Sequence, residues 1–392
     1  METEAIFWIC LMLVAYSYLF YPVCIWLPTR WFARDHRPPE VALPPPKVAL
    51  LIAAHNEAQT IEAKIRNSLA LDYPPERLEI VIVSDGSSDA TVKIAQRFAD
   101  PRVRVLDYQQ RRGKSAALNA AVAQTDSEIL VLTDANTDFK TNAVRNLVRW
   151  FAAAEVNVVC GRLILTDPKG AENVDSLYWR YETFLKKCEG RLDALLGANG
   201  AIYAIRREVY VPIPDNTIID DFVIPLLSKL RHGGRIVYDL EAVAREETPP
   251  TIGSEFWRRA RIGTGAYQSL AILWPILSPR YGFTAFAFFS HKVLRWVAPF
   301  LVLGMLASNV CLMNHMLYQI LFAGQISGLA LAAIGAYVPG RSRHAKALRG
   351  LTMLAGMNVA LFVGFWRWLF GRQTGVWQRT ARSVDLKVAR SQ

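Results

Sequence analysis

Paired cysteines are missing from this chain. Its five cysteines, Cys10, Cys24, Cys160, Cys188 and Cys311, form no Cys-x-x-Cys pair and are odd in number. That excludes a disulfide framework and a thiolate zinc site. They read as small buried apolar residues, and reduced thiols fit a cytosolic domain. Charge is missing from residues 5–27, a run of 23 positions, long enough to cross a bilayer. The marks of a cleaved leader are missing too. Glu2 and Glu4 stand where lysines would, the apolar run is too long, and no small-residue cleavage site follows. The segment reads as a retained anchor. No stripe of basic residues interleaved with stacking aromatics is present, so the net charge of +11 does not point to nucleic acid. No internal repeat is found.

What is present is segregated along 392 residues, enough for two or three domains. Basic residues gather beside apolar runs: Arg30, Arg34 and Arg37 after the first, and Arg341, Arg343, Lys346 and Arg349 between two later ones. This is the positive-inside pattern, and it names the anionic lipids of the cytoplasmic leaflet as a partner. The reading is an anchor over 1–28, a stiff proline-rich linker over 29–46 and a cytosolic domain over 47–250. Amphipathic interface helices follow over 251–290, then apolar helices over 291–370 and a basic tail over 371–392. Within the last apolar region, 294–313 and 316–338 read as spans. The stretch 351–370 ends in Arg367 among large aromatics, has basic clusters on both sides, and reads as re-entrant or interfacial. From 252 to 262, Phe256 and Trp257 mix with Arg258, Arg259 and Arg261, the composition of a helix lying at a bilayer surface; a solvated basic face is the plainer reading.

Inside 47–250, short apolar runs at 48–53, 79–83, 103–106 and 128–132 alternate with helical patterns at 58–70, 89–99 and 114–125. Such alternation predicts a doubly wound α/β sheet. The second half is more mixed, with strand-like 156–165 and 199–207 and helical 172–189 and 221–232.

Acidic residues follow the strands in order. Glu57 lies in AlaAlaHisAsnGlu (53–57), with His55 beside it. Asp85 lies in SerAspGlySerSerAsp (84–89), Asp134 in ThrAspAlaAsn (133–136), and Asp220–Asp221 opens a helix. The first three carboxylates fall at the C-terminal edge of a parallel sheet, where open α/β folds bind ligands. Acids on one rim suit a divalent cation and the phosphates it carries. Glu57 could accept from ribose hydroxyls, although Asn56 as a helix N-cap explains the same turn. Capping explains Gly86, Ser88 and Asp89 but not why a buried strand ends in Asp85. Lys114, after ArgArgGly, stands at a helix start suited to phosphate, or in a solvated basic loop. Asp134 offers Mg²⁺ or Mn²⁺ a hard oxygen, and Asn136 a neutral one. Asp220 and Asp221 suit a helix dipole or a general base.

Taken jointly, HisAsnGlu, AspGlySerSerAsp, GlyLys before a helix, the Asp-x-Asn triplet, GlyAlaAsnGlyAlaIleTyrAlaIleArgArg (197–207) and the acidic pair resemble the membrane-embedded family-2 glycosyltransferases. These include cellulose, chitin and hyaluronan synthases and bacterial exopolysaccharide enzymes, and the likeness covers roughly 47–275. The resemblance implies a GT-A (Rossmann-like) domain with transmembrane helices, in a bacterial inner membrane. It also implies a nucleotide-diphospho-sugar donor, usually UDP-linked, and a glycan or lipid-linked acceptor. His55, Glu57 and Asp85 would contact the nucleotide, Lys114 likewise, and Asp134 with Asn136 would hold Mg²⁺ or Mn²⁺. Asp221, beside Asp220, would be the catalytic base of an inverting transfer, and Arg261 would face the diphosphate. Two departures stand out. The family's second metal-binding Asp is Asn136 here. Its Gln-x-x-Arg-Trp is replaced by Arg258-Arg259-Ala260-Arg261-Ile262, which removes the Trp that stacks on the acceptor and weakens the case for a processive synthase. Polysaccharide-assembly proteins are further expected partners. A silent nucleotide-binding subunit is the rival kept open by Asn136. A nucleotidyltransferase is disfavoured because 53–58 contains no glycine.

Overall fold

A computed structural model describes residues 1–34, 37–38, 44–166, 177–247, 252–338 and 342–372. The basic tail after 372, part of the proline-rich linker and residues 172–176 of the expected helix lie outside the described residues. Among the described residues, eight strands form: β1 (Val48–Ala54), β2 (Leu78–Asp85), β3 (Val103–Tyr108), β4 (Ile129–Asp134), β5 (Asp138–Phe139), β6 (Val156–Thr166), β7 (Tyr203–Arg206) and β8 (Arg235–Glu247). The N-terminal helices are α1 (Glu2–Ala15), α2 (Tyr21–Trp26) and α3 (Thr29–Phe32). The domain carries α4 (Ile61–Leu69), α5 (Thr91–Ala95), α6 (Lys114–Val122), α7 (Ala143–Val148), α8 (Leu177–Arg191) and α9 (Asp220–His232). Then come α10 (Ile252–Leu273), α11 (Phe283–Ala287), α12 (Leu294–Cys311), α13 (Met316–Gly335) and α14 (Arg343–Leu369).

The strands join in one sheet of order β3-β2-β1-β4-β7-β6-β8-β5. β1 pairs in parallel with β2 and β4, and β2 with β3. β1, β2 and β4 are buried on both faces, which is why these runs are largely continuous in apolar residues rather than alternating. The second half departs from the doubly wound expectation: β7 runs antiparallel to both β4 and β6, and β5 antiparallel to β8. β8, not foreseen, pairs in parallel with β6 through a register shift between Gly161 and Arg162. β7 begins at Tyr203, later than the expected 199, because Asn199 and Ile202 close a tight turn instead.

β1 shows how the sheet divides its core. Val48, Leu50, Ile52 and Ala54 face one cluster with Ile61 and Ile65 of α4 and Val144 and Leu147 of α7. Ala49, Leu51 and Ala53 face the other, with Leu118 of α6, Leu185 of α8 and Val223 of α9. Burying each large aliphatic side chain stabilises the fold by about 1.5–3 kcal/mol. The second cluster continues into Tyr21, Ile25, Phe288 and Trp296. The catalytic-type domain and the roots of the apolar helices therefore share one core.

Among the described residues, four helical stretches are long and apolar enough to cross a membrane: Glu2–Phe32, Phe283–Cys311, Met316–Gly335 and Ala347–Leu369. α14 is one unbroken helix of 27 residues, without the break a re-entrant segment requires. Its C-terminal half runs antiparallel to α10: Gly263 meets Ala360 and Leu361, Gly364 meets Ala260 and Thr264, and Arg367 lies over Trp257. Small residues spaced by four on both helices, Ala260/Thr264 and Ala360/Gly364, permit this close approach.

Candidate functional site

The register explains why the acids converge. Ala54 of β1 pairs with Ser84 of β2, and Ala53 with Asp134 of β4. The chain therefore leaves β1, β2 and β4 at one level, carrying His55–Glu57, Asp85 and Asp134 to one rim.

Asp85 is buried, and both of its oxygens are occupied. Oδ1 accepts from the Arg112 backbone N–H at 2.7 Å and Oδ2 from that of Gly113 at 2.9 Å. His55 Nδ1 donates to the Asp85 carbonyl at 2.7 Å. Asp85 thus ties the 111–114 loop to the strand end. Gly86 has φ +63°, and a Cβ there would lie 2.8 Å from Arg111 N, so the turn admits only glycine at that approach. Asn56 is not an N-cap, since α4 starts only at Ile61. It adopts φ 55° and its Oδ1 accepts from the Ser88 N–H at 2.8 Å, joining the first two rim loops. Asp89 accepts from the Thr91 N–H and hydroxyl at the start of α5. Glu57 is buried, with Thr60 Oγ1 donating to its Oε2 at 2.7 Å.

Lys114 opens α6 and is shared by two carboxylates: Nζ lies 2.8 Å from Asp134 Oδ1 and 3.2 Å from Asp220 Oδ2. Burial works against its charge, but Asp134 and Asp220 prevail and hold its pKa above the ordinary lysine range. Asp220 is pushed up to about 6, first by burial and then by the negative charges of Asp221 and Asp134, against the pull of Lys114. Next to it, Asp221 Oδ2 accepts from the Gly200 N–H at 2.9 Å. A Cβ on Gly200 would sit 3.2 Å from that oxygen, so the 197–200 turn closes directly on the carboxylate. Arg261 on α10 is half-buried and makes no hydrogen bond or ion pair with any described residue. Burial lowers its pKa while Asp220, Asp134 and Asp221 oppose the shift. Its guanidinium is therefore held within the field of the same acids without being spent on them.

Asn136 stands apart from this pairing: its Nδ2 donates to Glu246 Oε1 of β8 at 2.8 Å. Among the described residues no three His, Cys, Asp or Glu side chains converge as a metal cage. Such a donor set does fit Mg²⁺ or Mn²⁺ held by one or two carboxylates and by substrate phosphates, the usual arrangement for a reluctantly dehydrated hard cation.

The sequence reading missed Lys64. It is fully buried beneath the 133–137 loop, with Nζ donating to Thr133 Oγ1 at 3.1 Å and to the Thr137 carbonyl at 2.9 Å, and it lies over the Phe139 ring. The signal was its place on the apolar face of α4, between Ile61, Ile65 and Ser68. Burial lowers its pKa to about 7 against the pull of Asp134 and Asp138. An unfolded lysine titrates near 10.5. Between those values the unfolded chain binds the extra proton, so this residue makes stability rise with pH from 7 to 10, by up to about 1.4 kcal/mol per pH unit. Lys64→Met should flatten that rise. Chemical denaturation of both proteins in detergent at pH 7, 8 and 9 checks it, and parallel slopes would remove the assignment.

An open α/β domain with carboxylates, a lysine and an arginine gathered at its switch edge, rooted in apolar helices, has the architecture of a GT-A enzyme domain. Residues 49–210 match the model of Glycosyl transferase family 2. It is 28% identical over 236 residues to poly-β-1,6-N-acetyl-D-glucosamine synthase of Staphylococcus aureus, covering 57% of this chain and 55% of that protein. It is 27% identical over 244 residues to β-monoglucosyldiacylglycerol synthase of Synechocystis sp., covering 59% and 50%. The chain thus spans about half the length of these relatives. In fold it is similar to a mannosyltransferase from Pyrobaculum calidifontis, solved with GDP-Man and Mn²⁺. The TM-score is 0.72 at 23% identity, covering 95% of this chain and 100% of that one.

Proposed function

We propose that the protein is an inverting glycosyltransferase of the bacterial cytoplasmic membrane, its domain cytosolic. It would transfer one sugar from a nucleoside diphosphate donor, UDP-linked by the family resemblance, to a lipid-linked or glycan acceptor. The observation that carries the reading is Lys114 clamped between Asp134 and Asp220, with Asp221 the next residue and Arg261 facing the same acids. Asp85 orders the 111–114 loop against which the nucleotide would lie, with His55 and Glu57 on the neighbouring turn. On donor binding the diphosphate would take over Lys114 and Arg261. Both are cations buried deeply enough for their charge to act at low dielectric. A divalent cation would be held by Asp134, with the Asn136 carbonyl as a neutral neighbour, and would supply charge neutralisation to the diphosphate.

Asp221 is the base in this scheme. Its Oδ2 is oriented by the Gly200 N–H, and its carboxylate takes the proton of the acceptor hydroxyl. That oxygen forms its bond to the anomeric carbon as the bond from that carbon to the phosphate oxygen breaks. Nucleoside diphosphate leaves, and the configuration inverts. An Arg261 unaccompanied by the Gln and Trp of processive synthases supports single transfer over chain elongation.

The test is incubation of the full-length protein in lipid nanodiscs with a panel of nucleotide sugars and Mn²⁺ or Mg²⁺, following nucleoside diphosphate release and product length. One preferred donor with a single added sugar is expected. Long product would replace this reading with a processive synthase. Release of pyrophosphate would replace it with a nucleotidyltransferase. A folded protein that binds donor but turns over none, with any acceptor lipid supplied, would replace it with a silent subunit.

A further inference from the structure

Residues 210–219, which lead into α9, form neither strand nor helix, yet Thr217 and Ile218 among them are buried. Irregular backbone away from water needs partners from elsewhere. Side chains on two helices supply them, from opposite sides. On α6, Asn119 Nδ2 donates to the Ile213 carbonyl at 2.7 Å and Ser115 Oγ to the Thr217 carbonyl at 2.9 Å. On α10, Gln268 Oε1 accepts from the Ile218 N–H at 3.0 Å, and its Nε2 donates to the Asn216 carbonyl at 2.9 Å. A carboxamide carries both the acceptor and the donor that these two backbone groups demand. The segment is thus a strap held between α6 and α10, and it runs directly into Asp220 and Asp221 at the start of α9.

Each of the two helices carries one of the site's cations close to its hold on the strap. Ser115 follows Lys114 in the chain. Gln268 lies two turns beyond Arg261 on the same face of α10, with Gly265 between them. A Cβ on Gly265 would lie 3.0 Å from Ile218 Cβ, so the backbone of α10 rests on the strap there. The other face of α10 is taken up by the apolar helices: Gly263 meets Ala360 and Leu361, and Tyr267 OH donates to the Trp296 carbonyl at 2.5 Å. Lys114 is fixed by its own ion pairs to Asp134 and Asp220. Arg261 has no such partner among the described residues, so its place depends on how α10 is seated.

We propose that Gln268 is a positioning residue for sugar transfer: by keying α10 to the strap before Asp220, it sets Arg261 at the distance from Lys114 that one diphosphate spans. The inference rests on the reading of Lys114 and Arg261 as the two cations of the donor diphosphate. Negative charge on that group grows as its bond to the anomeric carbon breaks, so a displaced Arg261 costs more in the transition state than in the bound donor. Lys114, held independently, keeps the donor bound.

The test measures nucleoside diphosphate release from a panel of UDP- and GDP-sugars with Mn²⁺, using full-length protein in nanodiscs of bacterial lipid extract. It compares the wild type with Gln268→Met, Arg261→Met and the double variant. Methionine keeps the length of glutamine and loses its amide. Gln268→Met should lower kcat about 10–100-fold, the cost of a catalytic group misplaced by about 1 Å, with donor KM changed by less than about threefold. In the Arg261→Met background the same substitution should cost less than about twofold, because the group it positions is gone. A Gln268→Met that keeps wild-type kcat overturns the proposal. So does an equal kcat loss in both backgrounds, the mark of a structural role unconnected with Arg261, and so does a loss confined to KM. Should Gln268→Met fail to fold, Gly265→Ala takes its place in the cycle, since its added methyl presses α10 away from Ile218 and leaves the carboxamide intact. An active wild type, an impaired Arg261→Met and an additive cycle remove this inference alone. An unimpaired Arg261→Met removes the role of Arg261 and this inference with it, and a wild type that releases no nucleoside diphosphate removes the reading beneath both.

Discussion

Asp221→Asn should lower sugar transfer by about 10³-fold, within the range for a lost general base, while nucleoside diphosphate affinity stays within about twofold. The geometry makes this substitution clean. Asp221 uses Oδ2 to accept the Gly200 N–H, and an asparagine carbonyl can keep that bond at the same volume. Gly200 leaves no room for adjustment, with only 3.2 Å between its would-be Cβ and that oxygen, so an isosteric side chain is the one that preserves the turn. What disappears is the capacity to take a proton. Steady-state transfer and calorimetric nucleotide binding on the same preparation separate the two effects. A variant retaining a tenth or more of wild-type turnover would remove Asp221 from the role. Asp220 offers an internal contrast. Its pKa of about 6 means that it becomes protonated as pH falls through 6 and weakens its hold on Lys114. An acid limb should therefore survive in the residual activity of Asp221→Asn, shifted below pH 6 because the Asp221 charge that helps raise Asp220 is gone, and be lost in Asp220→Asn.

Much of this arrangement was legible before any coordinates. β1, β2 and β4 are continuous apolar runs because both faces of the sheet are covered, and β2 and β4 each end at an aspartate that burial alone would not select. The second half hid itself for a physical reason. Arg235–Glu247 mixes charges with apolar residues because β8 is covered unevenly, and its pairing with β6 and β5 makes it a strand. Lys114 was equally ambiguous. ArgArgGlyLys reads as a solvated loop or a phosphate contact, and nothing local announces that Asp134 and Asp220 both reach its ammonium. Lys64 was visible as a charge on an apolar helix face, but its partners, Thr133 and Thr137, belong to the end of β4 and the turn after it. The antiparallel packing of α10 on α14 was written in small residues four apart, a pattern that says two helices approach closely without saying which two.

Asp85 gives the second large expectation. Read from the sequence, it is a carboxylate offered to a nucleoside; in the fold its two oxygens are engaged by the Arg112 and Gly113 N–H groups. The same residue can still decide nucleotide binding, by holding the loop that ends in Lys114. Asp85→Asn keeps shape but not chemistry. Its carbonyl satisfies one N–H, and its amide N–H₂ is turned on the other, donor against donor. A buried N–H left without its acceptor costs about 1–3 kcal/mol, more here because a charged acceptor is lost. The loop has little freedom to relax, since Gly86 already meets Arg111 N at 2.8 Å from where a Cβ would stand. The expected result is a fall in nucleoside diphosphate affinity of about 10–100-fold, from about 1.4 kcal/mol per decade. It should come with a lowered melting temperature and a similar loss in transfer at limiting donor that saturating donor partly restores. The pattern is opposite to that of Asp221→Asn, where affinity holds and turnover fails. Were Asp85→Asn to lose turnover at saturating donor with affinity intact, the loop-holding role would be wrong and a direct part in the chemistry would take its place.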